Sequence, residues 1–154
     1  QIGQAFGMTI ATSSRSKVEE AGVVQLELDE LLATSDVVSL HLPLTDATRH
    51  MIGARELGLM KPTGLLINTA RGGLVDEDAL AEALMRRTVG GACFDVLSNE
   101  PPSQDNPLLG LRLPNFILTP HVAWASSGAM QTLADMLVDN IEAWEAGRAT
   151  NLVG

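Results

Sequence analysis

Basic residues are scarce in this sequence, and that scarcity excludes a whole class of partner. Ten Lys and Arg stand against nineteen Asp and Glu, a formal charge of −9, which argues against a nucleic-acid partner because phosphate binding needs a positive face. Cysteine is nearly absent. The single thiol, Cys93, can close no intrachain disulfide, and a reducing cytoplasm is its natural compartment. Cys93 lies in an apolar run with no base near it in sequence, so it reads as a small core residue rather than a nucleophile. No apolar run approaches the roughly 18 residues that mark a membrane span. The opening QIGQAFGM lacks the basic flank and apolar centre of a signal peptide. The histidines, His41, His50 and His121, show no paired-ligand spacing, which ranks a metal site low. What remains is a chain of 154 residues, 45% hydrophobic, the size of one domain with a core of its own.

Strand-like runs and helix-like periods alternate along it. Gln1–Phe6 reads as the end of a helix with Gly7 as its C′ residue, and Met8–Thr12 as a short strand. Ser16–Glu19 has capping-box spacing for a short helix. Leu28–Ala33 reads as helix, Val37–Leu40 as strand, Thr48–Met51 as a helical stretch and Ala54–Met60 as helix. Leu65–Ile67 is unbroken and apolar, as in a strand covered on both faces, and Asp76 is placed to cap a helix over Glu77–Arg87. Val89–Val96 and Phe116–Thr119 complete the strands, with a loop over Gln104–Pro114 between them. From Ser127 to Gly147 a long helix carries Met130, Leu133, Ala134, Leu137, Val138, Ile141 and Trp144 on one face, a stripe that reads as core packing. This alternation predicts an α/β fold, a Rossmann-like and mostly parallel sheet with flanking helices and right-handed crossovers. A domain that opens with a helix and then a strand implies that a preceding strand is left out.

Parallel strands end on one common edge, where open α/β sheets place their ligand-binding groups. Arg71 lies in the break Asn68–Gly73, just past a buried strand. Its planar fork of donors suits a small carboxylate; the plain alternative is a surface arginine in a loop, and the segment alone leaves the two level. Asp95 sits inside an apolar strand, where an acid is costly to bury without a partner. Small hydroxyls and Arg15 follow the second-strand position (Ser14, Arg15, Ser16), where an acid would bind a ribose and an arginine accommodates a 2′-phosphate. Taken by itself, that segment is better read as a polar turn. His41, at a strand end, is either structural or a cofactor wall, and Thr48 is equally a phosphate contact or a simple N-cap. Arg71, Glu100 and His121 each fall a few residues beyond a strand. Together they fit reduction of a 2-oxo acid: Arg71 anchors the carboxylate, His121 delivers the proton, and Glu100 orients the imidazole and favours its charged form.

The segments INTARGGLVDEDAL, GGACFDVLSNEPP and NFILTPHVAWAS resemble, in order, the D-isomer-specific 2-hydroxyacid dehydrogenases. The PHVAWAS ending is most similar to bacterial glycerate dehydrogenases, also called hydroxypyruvate or glyoxylate reductases. The resemblance implies a nicotinamide cofactor and a small 2-oxo or 2-hydroxy acid such as hydroxypyruvate or glyoxylate. It implies Arg71, Glu100 and His121 as the catalytic set, with Asp95 on the nicotinamide carboxamide and the Thr69–Ala70 backbone along the nicotinamide. His41, Leu42 and Pro43 would line the adenine, Thr48 would face the pyrophosphate, and Trp124 would help close the substrate pocket. Ser14, Arg15 and Ser16 resemble the NADP variant rather than the NAD one, and relatives of this kind are dimers that pair through this domain.

The chain departs from that pattern at its start. The first strand and the G-x-G-x-x-G turn are missing, since Gly3 and Gly7 follow the helix rather than precede it. A sheet of order 3-2-1-4-5-6 would then lack its central strand and carry edges on both sides of a gap. The expectation is a partial dinucleotide-binding domain over residues 1–147, with 148–154 leading towards an absent substrate domain. Such a piece alone would be an inactive fragment of an active parent. The alternative is a dinucleotide-sensing or corepressor-like binding module, against which the joint presence of Arg71, Glu100 and His121 weighs.

Overall fold

The computed structural model describes residues 2–152; Gln1, at the start of the expected first helix, and Val153 and Gly154, in the expected tail, lie outside the described residues. It divides into two compact units, one running through Pro120 and the other starting at His121. The long C-terminal helix belongs to the second unit.

The first unit opens with α1 (Ile2–Ala5). Gly7 at φ 76 reverses the chain, with its N–H on the Gln4 carbonyl and that of Met8 on the Gly3 carbonyl, the paired bonds of a Schellman C-cap. Strands β1 (Ile10–Thr12) and β2 (Val23–Gln25) form a parallel two-stranded sheet. The short helix expected over Ser16–Glu19 is absent. The Gln25 side chain takes its place, receiving the Val18 N–H at 3.0 Å and donating to the carbonyls of Ser14 and Ser16. Those backbone groups are therefore satisfied from a neighbouring strand instead of from a helical turn.

Helix α2 (Leu28–Thr34) leads to β3 (Val37–Leu40), α3 (Ala54–Leu59) to β4 (Leu65–Asn68), and α4 (Glu77–Arg86) to β5 (Gly91–Phe94). Strand β6 (Phe116–Leu118) closes a four-stranded parallel sheet of order β3-β4-β5-β6. The two ladders, β2-β1 and β3 to β5, are those on either side of position 1 in a 3-2-1-4-5-6 sheet, with β6 added beyond. Burial alternates along the larger sheet: Val38, Leu40 and Leu66 lie in the core with Leu32, Leu57, Leu80 and Leu84 from the helices. Val37, Leu65 and Ile117 on the other face are 39%, 40% and 59% exposed, so Leu65–Ile67 is not covered on both faces as expected. Each such leucine contributes roughly 1.5–3 kcal/mol of burial. Asp76 caps α4 as expected, its carboxylate accepting the Ala79 N–H at 3.1 Å.

Two further expectations fail. Thr48–Met51 is a run of turns rather than helix, because the Thr48 hydroxyl accepts the Thr45 N–H and donates to the Pro43 carbonyl, curling the loop on itself. The second unit holds α5 (Ser127–Glu145), of which no residue is buried. Its apolar stripe is not core packing: Leu133, Leu137 and Trp144 are 63%, 61% and 70% exposed. Among the described residues of that unit there is no other helix or strand against which the stripe could pack. Among the described residues no helix is long and apolar enough to cross a membrane.

Candidate active site

Register decides which side chains can meet. Leu40, Asn68, Phe94 and Leu118 are paired in one row across the four strands, so the chain leaves all four strands at the same level. The next residues are His41, Thr69, Asp95 and Thr119. Three of them were expected in a site, and Thr119 was not.

The loop after β4 is built by Asn68, which is fully buried. Its amide accepts from the Ala70 N–H at 3.1 Å and donates to the Arg71 carbonyl at 2.9 Å. One side chain thus fixes the turn that presents Thr69, Ala70 and Arg71. The exposed Arg71 guanidinium donates to the Ala70 carbonyl at 2.6 Å, and among the described residues no carboxylate pairs with it. A fixed, unneutralised cation at the rim is what a small anion requires.

The segment that follows is clamped from two sides. His50 and Ile52 donate their N–H groups to the carbonyls of Gly73 and Leu74, and Asp76 N–H returns to the Ile52 carbonyl. On the other side Gly72 packs against the backbone of Leu97 and Ser98, so closely that a Cβ would lie 1.9 Å from the Leu97 carbonyl carbon. Only glycine fits there, which accounts for one member of the Gly-Gly pair.

Asp95 has the partner its burial demands. Its N–H extends the ladder to the Asn68 carbonyl at 3.0 Å, and its carboxylate accepts a 2.5 Å hydrogen bond from the Thr119 hydroxyl. The Glu100 carboxylate accepts the Leu97 N–H at 2.9 Å, turning its loop back on itself. Glu77, which the sequence reading passed over, is also buried: its two oxygens accept from Ser98 N–H and from the Asn106 amide, both at 2.6 Å. No local pattern marks Glu77, Asn68 or Thr119, though a polar residue directly abutting an apolar strand is a usable sign for the last two.

The remaining candidates lie in three places. Ser14, Arg15 and Ser16 form the exposed loop after β1, and among the described residues the Arg15 guanidinium has no hydrogen-bond or ion-pair partner. His41, Leu42 and Pro43 leave β3, with the His41 ring 2.9 Å from the Ser39 hydroxyl, and Thr48 closes that loop. His121 and Trp124 belong to the second unit, where His121 adopts a left-handed φ of 53 and its carbonyl accepts the Trp124 indole N–H at 2.8 Å. Such a conformation is uncommon away from glycine. Among the described residues no three His, Cys, Asp or Glu side chains cluster as a metal ion would require.

Comparison with known proteins gives this edge a context. Residues 1–123 match the family model described as D-isomer specific 2-hydroxyacid dehydrogenase, NAD binding domain. A glycerate dehydrogenase of Methylorubrum extorquens is 58% identical over 128 residues, covering 83% of this chain and 41% of that protein. Among solved structures, an NADPH-dependent glyoxylate/hydroxypyruvate reductase of Sinorhizobium meliloti superposes with a TM-score of 0.87 at 37% identity, over 98% of this chain and 47% of that one. A D-lactate dehydrogenase of Lactobacillus jensenii, solved with NAD+, reaches 0.89 at 29% identity, over 100% of this chain and 50% of that one. The chain therefore spans about half the length of the relatives it matches.

Proposed function

Because the chain belongs to the D-isomer specific 2-hydroxyacid dehydrogenase family, we propose that it is the nicotinamide-binding part of an oxidoreductase acting on a small 2-oxo or 2-hydroxy acid, hydroxypyruvate or glyoxylate being the first candidates. The observation that carries this reading is the row Leu40–Asn68–Phe94–Leu118, which brings the loops of Arg71 and Asp95 out of one sheet edge. The residues of that edge fit the cofactor, with a buried carboxylate on Asp95 and a fixed backbone turn at Thr69–Ala70; in the loop after β1, Arg15 offers a guanidinium with no partner among the described residues.

In this reading the Asp95 carboxylate would receive the N–H of the nicotinamide carboxamide. The Thr69–Ala70 backbone lines the ring, His41, Leu42 and Pro43 flank the adenine, and Thr48 lies on the pyrophosphate side. Ser14, Arg15 and Ser16 take a 2′-phosphate, which favours NADP over NAD. The cofactor, when bound, supplies the hydride and takes it back in reverse.

Arg71 holds the substrate carboxylate through its fork and polarises the adjacent carbonyl. His121 donates a proton to the carbonyl oxygen as hydride reaches carbon, so the 2-oxo acid becomes the 2-hydroxy acid, and His121 recovers the proton in oxidation. Glu100 orients the imidazole. Trp124 shields the substrate from water. The roles of His121 and Trp124 rest on residue type and family resemblance. The exposed stripe of α5 supports a homodimer, and the single cysteine supports a cytoplasmic location.

The test is loss of NADPH absorbance in the full-length protein with glyoxylate or hydroxypyruvate. Turnover that depends on the 2-oxo acid supports the reading. Tight NADPH binding without turnover of any small 2-oxo acid replaces it with a dinucleotide-sensing or corepressor-like module.

A further inference from the structure

Two loops carry the charged groups assigned above in the first unit, and one buried carboxylate ties them to the same helix. Glu77 is the first residue of α4, directly after the Arg71–Asp76 segment. From there it reaches across to the loop after β5, accepting the Ser98 N–H on one oxygen and the Asn106 amide on the other, each at 2.6 Å. Asn106 is itself oriented by the Leu108 N–H, which its carbonyl oxygen accepts at 2.9 Å. The loop between these two anchors carries Glu100, whose carboxylate folds back onto Leu97 N–H, one residue before the Ser98 anchor. Gly72 presses on the same Leu97–Ser98 peptide from the Arg71 side.

A charged group buried to this extent is costly unless it is paired and hydrogen-bonded. Here the cost is offset by two charge-assisted bonds and by the amino end of a ten-residue helix, which favours negative charge. Nothing in the fold of α4 requires the arrangement, since Asp76 already caps the helix. What the two bonds do is fix both ends of the stretch that bears Glu100. We propose that Glu77 is a positioning residue for the reaction, acting through Glu100: it holds the 98–106 loop so that the Glu100 carboxylate is set in place before substrate arrives. This rests on the oxidoreductase reading above, in which Glu100 orients the imidazole of His121.

The experiment is steady-state reduction of glyoxylate or hydroxypyruvate by the full-length protein over a range of pH. It compares wild type with Glu77→Ala, Glu100→Gln and the double variant. Misplacement of a reacting group by about an ångström costs as much as roughly 100-fold, so Glu77→Ala is expected to lower kcat by up to that factor with the KM for NADPH little changed. Its pH limb for reduction moves to lower pH, because an imidazole with a poorly placed carboxylate holds its proton less firmly. A purely structural role would leave that limb where it was. In the Glu100→Gln background the same substitution adds almost nothing, since the group through which it acts is gone. Glu77→Gln, which keeps an acceptor for Ser98 N–H, recovers most of the lost turnover. Should Glu77→Ala fail to fold, Glu77→Asp keeps the charge while drawing the carboxylate back by one methylene, and is read by the same limb shift and the same double-variant comparison. Undiminished turnover, an unmoved pH limb, or a loss that multiplies in full on Glu100→Gln overturns the positioning role while wild type remains active. Inactivity of wild type towards every 2-oxo acid overturns the oxidoreductase reading first, and this inference with it.

Discussion

Thr119 donates its hydroxyl hydrogen to the carboxylate of Asp95 at 2.5 Å, joining the ends of two adjacent parallel strands at the rim of the sheet. Asp95 is 8% exposed, so its charge depends on bonds of this kind. Thr119→Val keeps the shape and removes the donor. It is expected to lower stability by about 2 kcal/mol, in the range for a lost hydrogen bond to a charged group. Urea denaturation of the full-length protein measures this. A change within error would mean that the hydroxyl contributes nothing net.

Asn68 does for the Arg71 loop what Thr119 does for Asp95. Removing its amide leaves the Ala70 N–H and the Arg71 carbonyl without their partner and opens a small cavity beneath the sheet edge. Asn68→Ala is expected to cost about 3 kcal/mol. It should also raise the KM for the 2-oxo acid more than the KM for NADPH, because the displaced group is the carboxylate anchor. Equal increases in both would show that the loop serves the cofactor instead.

These residues mark the limit of what could be read in advance. The apolar runs at Val37–Leu40 and Leu65–Ile67, the Asp76 cap and the Gly7 reversal were legible because each is decided within a few neighbouring positions. Arg71 and Asp95 stood out because a charge next to a buried strand demands explanation. Glu77 did not, since its partners Ser98 and Asn106 lie far along the chain and it resembles any acid in the first turn of a helix. The Ser16–Glu19 helix failed for the same reason in reverse: the capping spacing was present, but Gln25 supplied the competing bonds from another strand. Strand β2 escaped notice because three residues, Val23–Gln25, are too few to show a period. The stripe on α5 is legible as apolar but not as exposed, because periodicity reports a face and not what lies opposite it.

His121 carries the proton in the proposed reaction, so His121→Ala should lower turnover by about 100- to 10,000-fold, the usual worth of a positioned general acid. Binding of NADPH, followed by fluorescence titration, should change little. Comparable losses in turnover and cofactor affinity would remove the proton-donor role.

Arg15 stands exposed in the loop after β1, without a partner among the described residues. If it meets a 2′-phosphate, it does so at the surface and with competition from salt. Arg15→Ala is then expected to raise the KM for NADPH by about tenfold, on the order of 1.4 kcal/mol, with the KM for NADH unchanged. The separation should narrow at high ionic strength. An unaltered ratio of the two constants would return the segment to a polar turn.

Glu56 offers a test of stability that is independent of any catalytic assignment. Burial opposes its charge, but hydrogen bonds from its own and the Gly53 backbone N–H groups, together with Arg55, outweigh this and hold its carboxyl below the ordinary value of 4.5. A group whose folded-state pKa is depressed stabilises the fold above its unfolded value and ceases to do so as pH falls through the folded one. The bond from Gly53 N–H to Glu56 Oε2 at 3.1 Å closes the first turn of α3, and removing a cap of this kind costs about 1 kcal/mol. Glu56→Gln keeps an acceptor for the Gly53 N–H but loses the charge, so it should be less stable than wild type near neutrality by less than the roughly 1 kcal/mol of a whole cap. The gap should close as both are titrated below pH 4.5, because wild type loses by protonation what the variant lost by substitution. Denaturation midpoints taken across that window decide it: a gap that stays constant with pH would mean that the amide change perturbs packing and that the charge on Glu56 does not matter.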